Sequence, residues 1–212
     1  MNAPTTPSKM VGFLDIETLS LRLNALVLEI GLVTVLMDET YGQLDSPQIF
    51  HWKLDHEEQL RMGRHVDPST YEFHLKIHGD NLSNVFFGFE PTLKTTYDPI
   101  FERNSLLNPN KACLPPKLVL DDLRSKCSNL SELWMNHPTL DSGRLHSLKE
   151  DVWADDEPLW KYHIERDVAT LRRVTPSFYA SLKNELPKET AHRAVDDAFY
   201  NLRVVQLFGR SF

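Results

Sequence analysis

The stretch Met10-Val11-Gly12-Phe13-Leu14-Asp15-Ile16-Glu17-Thr18-Leu19 runs from apolar residues into two acids separated by one residue. Alternate side chains of a strand project to opposite faces. A first core strand over Met10–Leu14 would therefore carry Asp15 and Glu17 out together at its end while Ile16 turns back into the core. Two carboxylates held that close raise one another's pKa unless a cation lies between them, and a divalent metal ion is the usual occupant. A solvated strand end is the plainer reading of the same spacing, because 30 Asp and Glu in 212 residues produce acid-x-acid pairs by chance.

Two further segments bear on that choice. Near the C-terminus, His192-Arg193-Ala194-Val195-Asp196-Asp197-Ala198 begins a run in which apolar positions 194, 195, 198, 202, 205 and 208 recur at helical spacing. This predicts a helix that carries Asp197, with His192 at or just before its first turn and Thr190 as N-cap. Either Asp196 or Asp197 would serve as an ordinary solvated helix acid. In mid-chain, Leu133-Trp134-Met135-Asn136-His137-Pro138-Thr139-Leu140-Asp141 joins a short apolar stretch to a turn that delivers a single Asp, with Asp151, Asp155 and Asp156 nearby as competitors.

In this order the segments resemble the DnaQ-like 3′-to-5′ exonucleases of the DEDDh type, which have an RNase-H-like fold. Phe13 to Leu19 matches their D-x-E motif, and His192 to Ala198 matches H-x-A-x-x-D-A without a gap. Trp134, Pro138, Leu140 and Asp141 resemble the W-x-x-x-P-x-F-D motif of the phage exonuclease A and exonuclease VIII-like branch, with Leu140 in place of Phe. Gly63 to Thr70 resembles the G-R-x-I-D-P-S-T stretch of that branch. Arg166 to Leu171 resembles its R-D-x-R-T-L, with Ala169 where Arg is usual.

The resemblance implies an α/β fold, an RNase-H-like mixed sheet with antiparallel first strands, flanked by helices. It implies a 3′-to-5′ exonuclease that removes nucleoside 5′-monophosphates from single-stranded nucleic-acid ends, with DNA preferred and RNA a close second. Carried over residue by residue, Asp15, Glu17, Asp141 and Asp197 form a cage for two divalent ions, Mg²⁺ or Mn²⁺, with Asp15 bridging both. Such ions accept hard oxygen ligands and, about 4 Å apart, serve phosphodiester hydrolysis. His192 has a pKa range suited to the general base that deprotonates the attacking water. Thr18 and Leu19 pack on the terminal nucleotide or form the exit of the strand, and Asp167 supports the site without binding metal.

The formal net charge of −7 argues against a protein that coats a duplex. The four proposed ligands supply more than half of it. A site gripping a few terminal nucleotides fits this balance, with modest and salt-dependent affinity; Arg22, Arg64, His65, Lys76, Arg144 and Arg193 are the candidate contacts. Cys113 and Cys127 have no zinc or disulfide spacing, which is expected of a reducing compartment. Residues 1–9 read as a polar, Pro-rich, disordered lead-in, and no apolar run has membrane-spanning length. The expectation is a soluble cytoplasmic protein of a bacterial or phage-infected cell.

Residues 10–212 read as one domain of a size that buries a substantial core without disulfides. Further strands are expected over Ala25–Met37 and Gln48–Leu54, and helices over residues 67–79 and 118–129. Residues 80–116 lack periodicity and read as an insertion or long loop, a candidate cover for the site or surface for a protein partner. Two other classes of function stay open at this point. One is a binding module that captures nucleic-acid ends or a host protein with little catalysis; the other is an endonuclease or resolvase of the same wider fold.

Overall fold

The apolar run that begins at Met10 becomes the central strand of a five-stranded sheet. A computed structural model describes residues 8–78, 113–153, 156–174 and 193–210. Expectations that fall elsewhere lie outside the described residues; these include His192, Thr190, the lead-in up to residue 7 and residues 80–112 of the expected insertion.

Strand β1 (Ser8–Thr18) pairs antiparallel with β2 (Val27–Asp38), which pairs antiparallel with β3 (Gln48–Lys53). On its other side β1 runs parallel to β4 (Glu132–Met135), and β4 runs parallel to β5 (Glu165–Asp167). The sheet order is therefore β3-β2-β1-β4-β5, a mixed sheet with an antiparallel start, as expected. The first strand is longer than the sequence reading. It continues through Asp15 and Glu17 because β2 supplies hydrogen-bonding partners as far as Thr18. The second strand starts at Val27, two residues later than expected, because Ala25 instead forms an isolated bridge with His65.

The helices among the described residues are α1 (His56–Arg61), α2 (Pro68–His78), α3 (Pro116–Cys127), α4 (Pro138–Val152), α5 (Val168–Val174) and α6 (Ala194–Gly209), with a short 3-10 turn at Tyr162–Ile164. No helix among the described residues is long and apolar enough to cross a membrane. The last residues of the expected insertion are tied down. Leu114 accepts from the Asp55 N–H at 2.8 Å and donates to the Lys53 carbonyl at 2.8 Å, so α3 begins at Pro116 and not at Leu118.

Strand alternation sorts the core into two faces. Leu14, Ile16, Ile30 and Leu32 pack with Val119, Leu120 and Leu123 of α3 and with Leu145 and Leu148 of α4. Val11, Phe13, Val33 and Val35 pack on the opposite face with Ala198, Leu202, Val204 and Val205 of α6. Asp15 and Glu17 continue the odd-numbered series of β1, so they emerge on the α6 side, at the end of the sheet where α4 begins.

Candidate metal and active site

The site begins with the register of the two central strands. Asp15 lies opposite Gly31, and Glu17 lies opposite Glu29. A Cβ on Gly31 would fall on the carbonyl of Ala194 and the nitrogen of Val195, inside van der Waals contact. Glycine at that position lets the first turn of α6 rest directly on the sheet beside Asp15. Asp197 sits in that first turn.

The result is a cluster of three carboxylates. Asp15, Glu17 and Asp197 each offer an oxygen, and these oxygens lie within 4.8 Å of one another. Glu17 and Asp197 are buried and Asp15 is half-buried. Hard oxygens from three separate acids, drawn together at the end of a sheet, form a donor set suited to Mg²⁺ or Mn²⁺. The neighbouring Asp196 is the less buried of the pair on α6 and does not belong to the cluster.

Asp141 occupies the first turn of α4, which the bend at Asn136 and His137 joins to β4. Helix formation begins at Pro138, whose fixed φ and missing N–H suit a first helical position. Burial pushes the Asp141 carboxyl up to about 6, against the His137 N–H and the nearby Arg144, which act in the opposite direction. Its Oδ2 lies 3.5 Å from that N–H. Asp141 is not among the three acids that already lie within 4.8 Å of each other.

The most consequential residue that the sequence reading missed is Glu29, which has no exposure at all. Its Oε1 accepts from the Ala194 N–H at 2.7 Å and from Arg193 Nε at 3.3 Å, while His51 Nε2 lies 2.8 Å from its Oε2. Burial alone would raise the Glu29 carboxyl. His51, Arg193 and the Ala194 N–H overcome that effect and hold it at about 2. The N-cap position of α6 is accordingly Arg193, which corrects the expectation of Thr190. A carboxylate from β2 thus accepts the first N–H of the helix, a role that a capping side chain ordinarily fills from the adjoining chain. The signal lay in the sequence as a charge inside Val27-Leu28-Glu29-Ile30-Gly31-Leu32, since a charge in a doubly covered strand must be paired.

Several candidate nucleic-acid contacts have other duties. Arg64 is buried and braces the loop after β1: its Nη2 donates to the Ala25 carbonyl at 2.6 Å, its Nε to the same oxygen at 2.9 Å, and its Nη1 to Asp151 at 2.8 Å. This brace ties the loop to α4, so Arg64 is not a surface contact. Arg193 is committed to Glu29, and His65 Nδ1 lies 2.8 Å from Ser20 Oγ. Asp67 starts α2 by accepting from the Ser69 N–H at 2.9 Å, and Asp167 starts α5 by accepting from the Ala169 N–H at 2.8 Å. Arg22 and Lys76 are exposed.

A cavity of about 380 Å³ opens beside Glu17, between the end of β1, α2 and α4. Thr18 lines it, and Leu21, Phe73, His74 and Arg144 complete much of the wall. Leu19 does not reach it. That side chain is 3% exposed and packs with Leu26 and Leu28. The buried His74 places Nε2 at 3.2 Å from the Thr18 carbonyl and 3.9 Å from Glu17 Oε2, a proximity that no motif announced.

Comparison with known proteins gives a family and a fold. The model of the Rv2179c-like family, described as a 3′-5′ exoribonuclease domain, matches residues 11–208. Among solved structures, the zinc-bound complex of E. coli ExoI with single-stranded DNA is similar with a TM-score of 0.56 at 12% identity, covering 94% of this chain and 40% of that one. Exonuclease I from Methylocaldum szegediense gives a TM-score of 0.51 at 10% identity, again with 94% and 40% coverage. At such identities the likeness shows the shared RNase-H-like fold alone, and the chain spans 40% of the length of these solved relatives. No curated protein matches significantly.

Proposed function

The chain belongs to the Rv2179c-like 3′-5′ exoribonuclease domain family, and from that premise we propose that it removes nucleoside 5′-monophosphates from the 3′ ends of single-stranded nucleic acid. The single observation that carries this reading is the convergence of Asp15, Glu17 and Asp197 to within 4.8 Å. Two divalent ions, when bound, supply an activated water and offset charge on the phosphoryl oxygens and the leaving 3′-oxygen.

The residues divide the remaining work. Asp15 and Glu17, fixed on a central strand, and Asp197, fixed by the seating of α6 on Gly31, hold the cluster with little freedom to spread. Asp141 completes the ligand set from the first turn of α4, and a bound cation would favour the ionised form that burial disfavours. His192, which immediately precedes the tethered Arg193, takes the proton of the attacking water in this reading. Thr18 borders the place of the terminal nucleotide.

RNA is the substrate we favour, because the family description names an exoribonuclease domain. DNA remains a second reading on two specific grounds. The E. coli relative is a complex with single-stranded DNA, and residues 63–70 and 134–141 resemble the phage exonuclease A and exonuclease VIII-like branch. Chromatography of the products from an RNA and a DNA oligonucleotide of one sequence tests the reaction. Nucleoside 5′-monophosphates, formed faster from RNA and absent with chelator, support the reading. Release of 3′-monophosphates or internal fragments contradicts it.

A further inference from the structure

Two helices deliver acids to the end of β1, and their first turns are held differently. The start of α6 rests on Gly31, and Glu29 accepts its Ala194 N–H. The start of α4 has no side-chain bond at its N-cap, His137; Pro138 is half-buried, and Thr139 and Leu140 are exposed. Among the described residues, the buried apolar contacts of α4 begin at Leu145, a full turn past Asp141. The polar ties at Arg144 are long: 3.4 Å to the Arg22 carbonyl and 3.4 Å from Arg64 Nη2 to its own carbonyl. Helical turns in proteins owe most of their stability to tertiary packing, so this turn needs another anchor.

The anchor comes from β5. Glu165 lies opposite Leu133 of β4, and directly paired residues of neighbouring strands project to the same face. Leu133 packs in the core beneath α3 and α4, so Glu165 is turned toward α4. There the buried Ser142, which follows Asp141, donates its hydroxyl to Glu165 Oε1 at 2.6 Å. The buried Trp160 donates Nε1 to the same oxygen at 2.8 Å, and its ring meets His146 of α4 edge-on with centroids 5.2 Å apart. Two short bonds on one oxygen fix the direction of the carboxylate, and hydrogen bonds to a charged acceptor are the strong ones.

We propose that Glu165 is a positioning residue for the metal site: by holding Ser142 it fixes the first turn of α4, and with it the place of Asp141 as a ligand to a divalent cation. The inference rests on the reading of Asp141 as a member of the ligand set. Glu165 does for α4 what Glu29 does for α6, each a carboxylate on a flanking strand that ties a ligand-bearing turn to the sheet. A carboxylate turned toward an apolar face is weak evidence for stability as such, since a well-packed apolar residue often replaces one without loss. Its contribution here is the geometry of the ligand, and groups behind metal ligands commonly set affinity in this way.

The test is titration of the full chain with Mn²⁺ alone, the free ion being read by its electron paramagnetic resonance signal. Glu165→Leu fills the space without an acceptor and is expected to weaken Mn²⁺ binding about tenfold, the low end for removing a group that orients a metal ligand. Glu165→Gln keeps an acceptor for Ser142 and recovers most of that affinity. Asp141→Asn also weakens binding, and adding Glu165→Leu to it has no further effect, because Glu165 acts through Asp141; a merely structural role would add its own loss. Should Glu165→Leu fail to fold, Ser142→Ala deletes the same bond from the helix side and carries the same expectations. Wild-type Mn²⁺ affinity in Glu165→Leu, or a further loss when it is added to Asp141→Asn, overturns this proposal alone. Wild-type affinity in Asp141→Asn, or no binding by wild type, overturns the ligand assignment and this proposal with it. The expected binding pattern without 3′-end shortening in a parallel cleavage assay sinks the exonuclease reading alone.

Discussion

Glu29 Oε1 accepts the backbone N–H of Ala194 at 2.7 Å, which joins the first part of β2 to the first residue of α6 across 165 positions of chain. Through this bond a fully buried acid that belongs to no metal cluster sets where Asp197 stands. Glu29→Gln keeps the shape and loses the charge that faces His51 and Arg193. The expected cost is about 3 kcal/mol of stability, the low end for breaking a buried charged pair. Cleavage should fall through kcat, with KM little changed. Urea unfolding and steady-state kinetics check both, and unchanged stability would show that the interaction has no net worth.

The same carboxyl makes stability depend on acid. Burial raises its pKa, but His51, Arg193 and the Ala194 N–H pull it from the ordinary 4.5 to about 2. A depressed folded-state value contributes stability that is fully present above about pH 4.5 and is lost as pH falls toward 2. The shift corresponds to a contribution on the order of 3 kcal/mol. The stability gap between wild type and Glu29→Gln should therefore be open at pH 5 and close between pH 4.5 and 2. A gap that stays open at pH 2 would refute the linkage.

Gly31→Ala probes the seating of α6. The added methyl meets backbone atoms of Ala194 and Val195, which cannot rotate aside as a side chain could. We expect a loss of about 1–3 kcal/mol from overpacking, together with a loss of metal-dependent cleavage as Asp197 moves from Asp15. Wild-type cleavage in a folded Gly31→Ala protein would show that the helix position is not critical.

Removing one acid from the cluster should have opposite effects with and without metal. In chelator, Asp15→Asn or Asp197→Asn relieves repulsion among three carboxylates and should leave the protein as stable as wild type or up to about 1 kcal/mol more so. Added Mn²⁺ should raise the melting temperature of wild type by mass action and leave both variants nearly unmoved. Equal Mn²⁺ shifts in all three proteins would place the ion elsewhere.

How much of this was legible in the sequence depends on the range of the interaction. The pairing of Asp15 with Glu17 follows from strand alternation, and the placement of Asp197 on an apolar-faced helix follows from residue spacing; both are local patterns. The mixed sheet with its antiparallel start was also expected and is present. Glu29 was passed over because its partners, His51 and Ala194, lie 22 and 165 positions away. Arg64 stood among the surface contacts because nothing local reveals that its donors meet the carbonyls of Leu23 and Ala25. The N-cap of α6 was sought at Thr190; it is Arg193, and the N–H that follows it is held by Glu29 of the distant β2. Leu19 and Leu21 differ by two positions, yet only the second reaches the cavity, because Leu19 continues the core with Leu26 and Leu28.

The most direct measurement is a time course on 5′-labelled single-stranded RNA with Mg²⁺ or with chelator, resolved to single nucleotides, for wild type and Asp15→Asn. The account predicts a ladder that shortens from the 3′ end in wild type with metal, and an intact strand in chelator and in the folded variant. A ladder that persists in chelator, or undiminished in pure Asp15→Asn protein, would contradict the claim that these carboxylates hold the ions that drive the reaction.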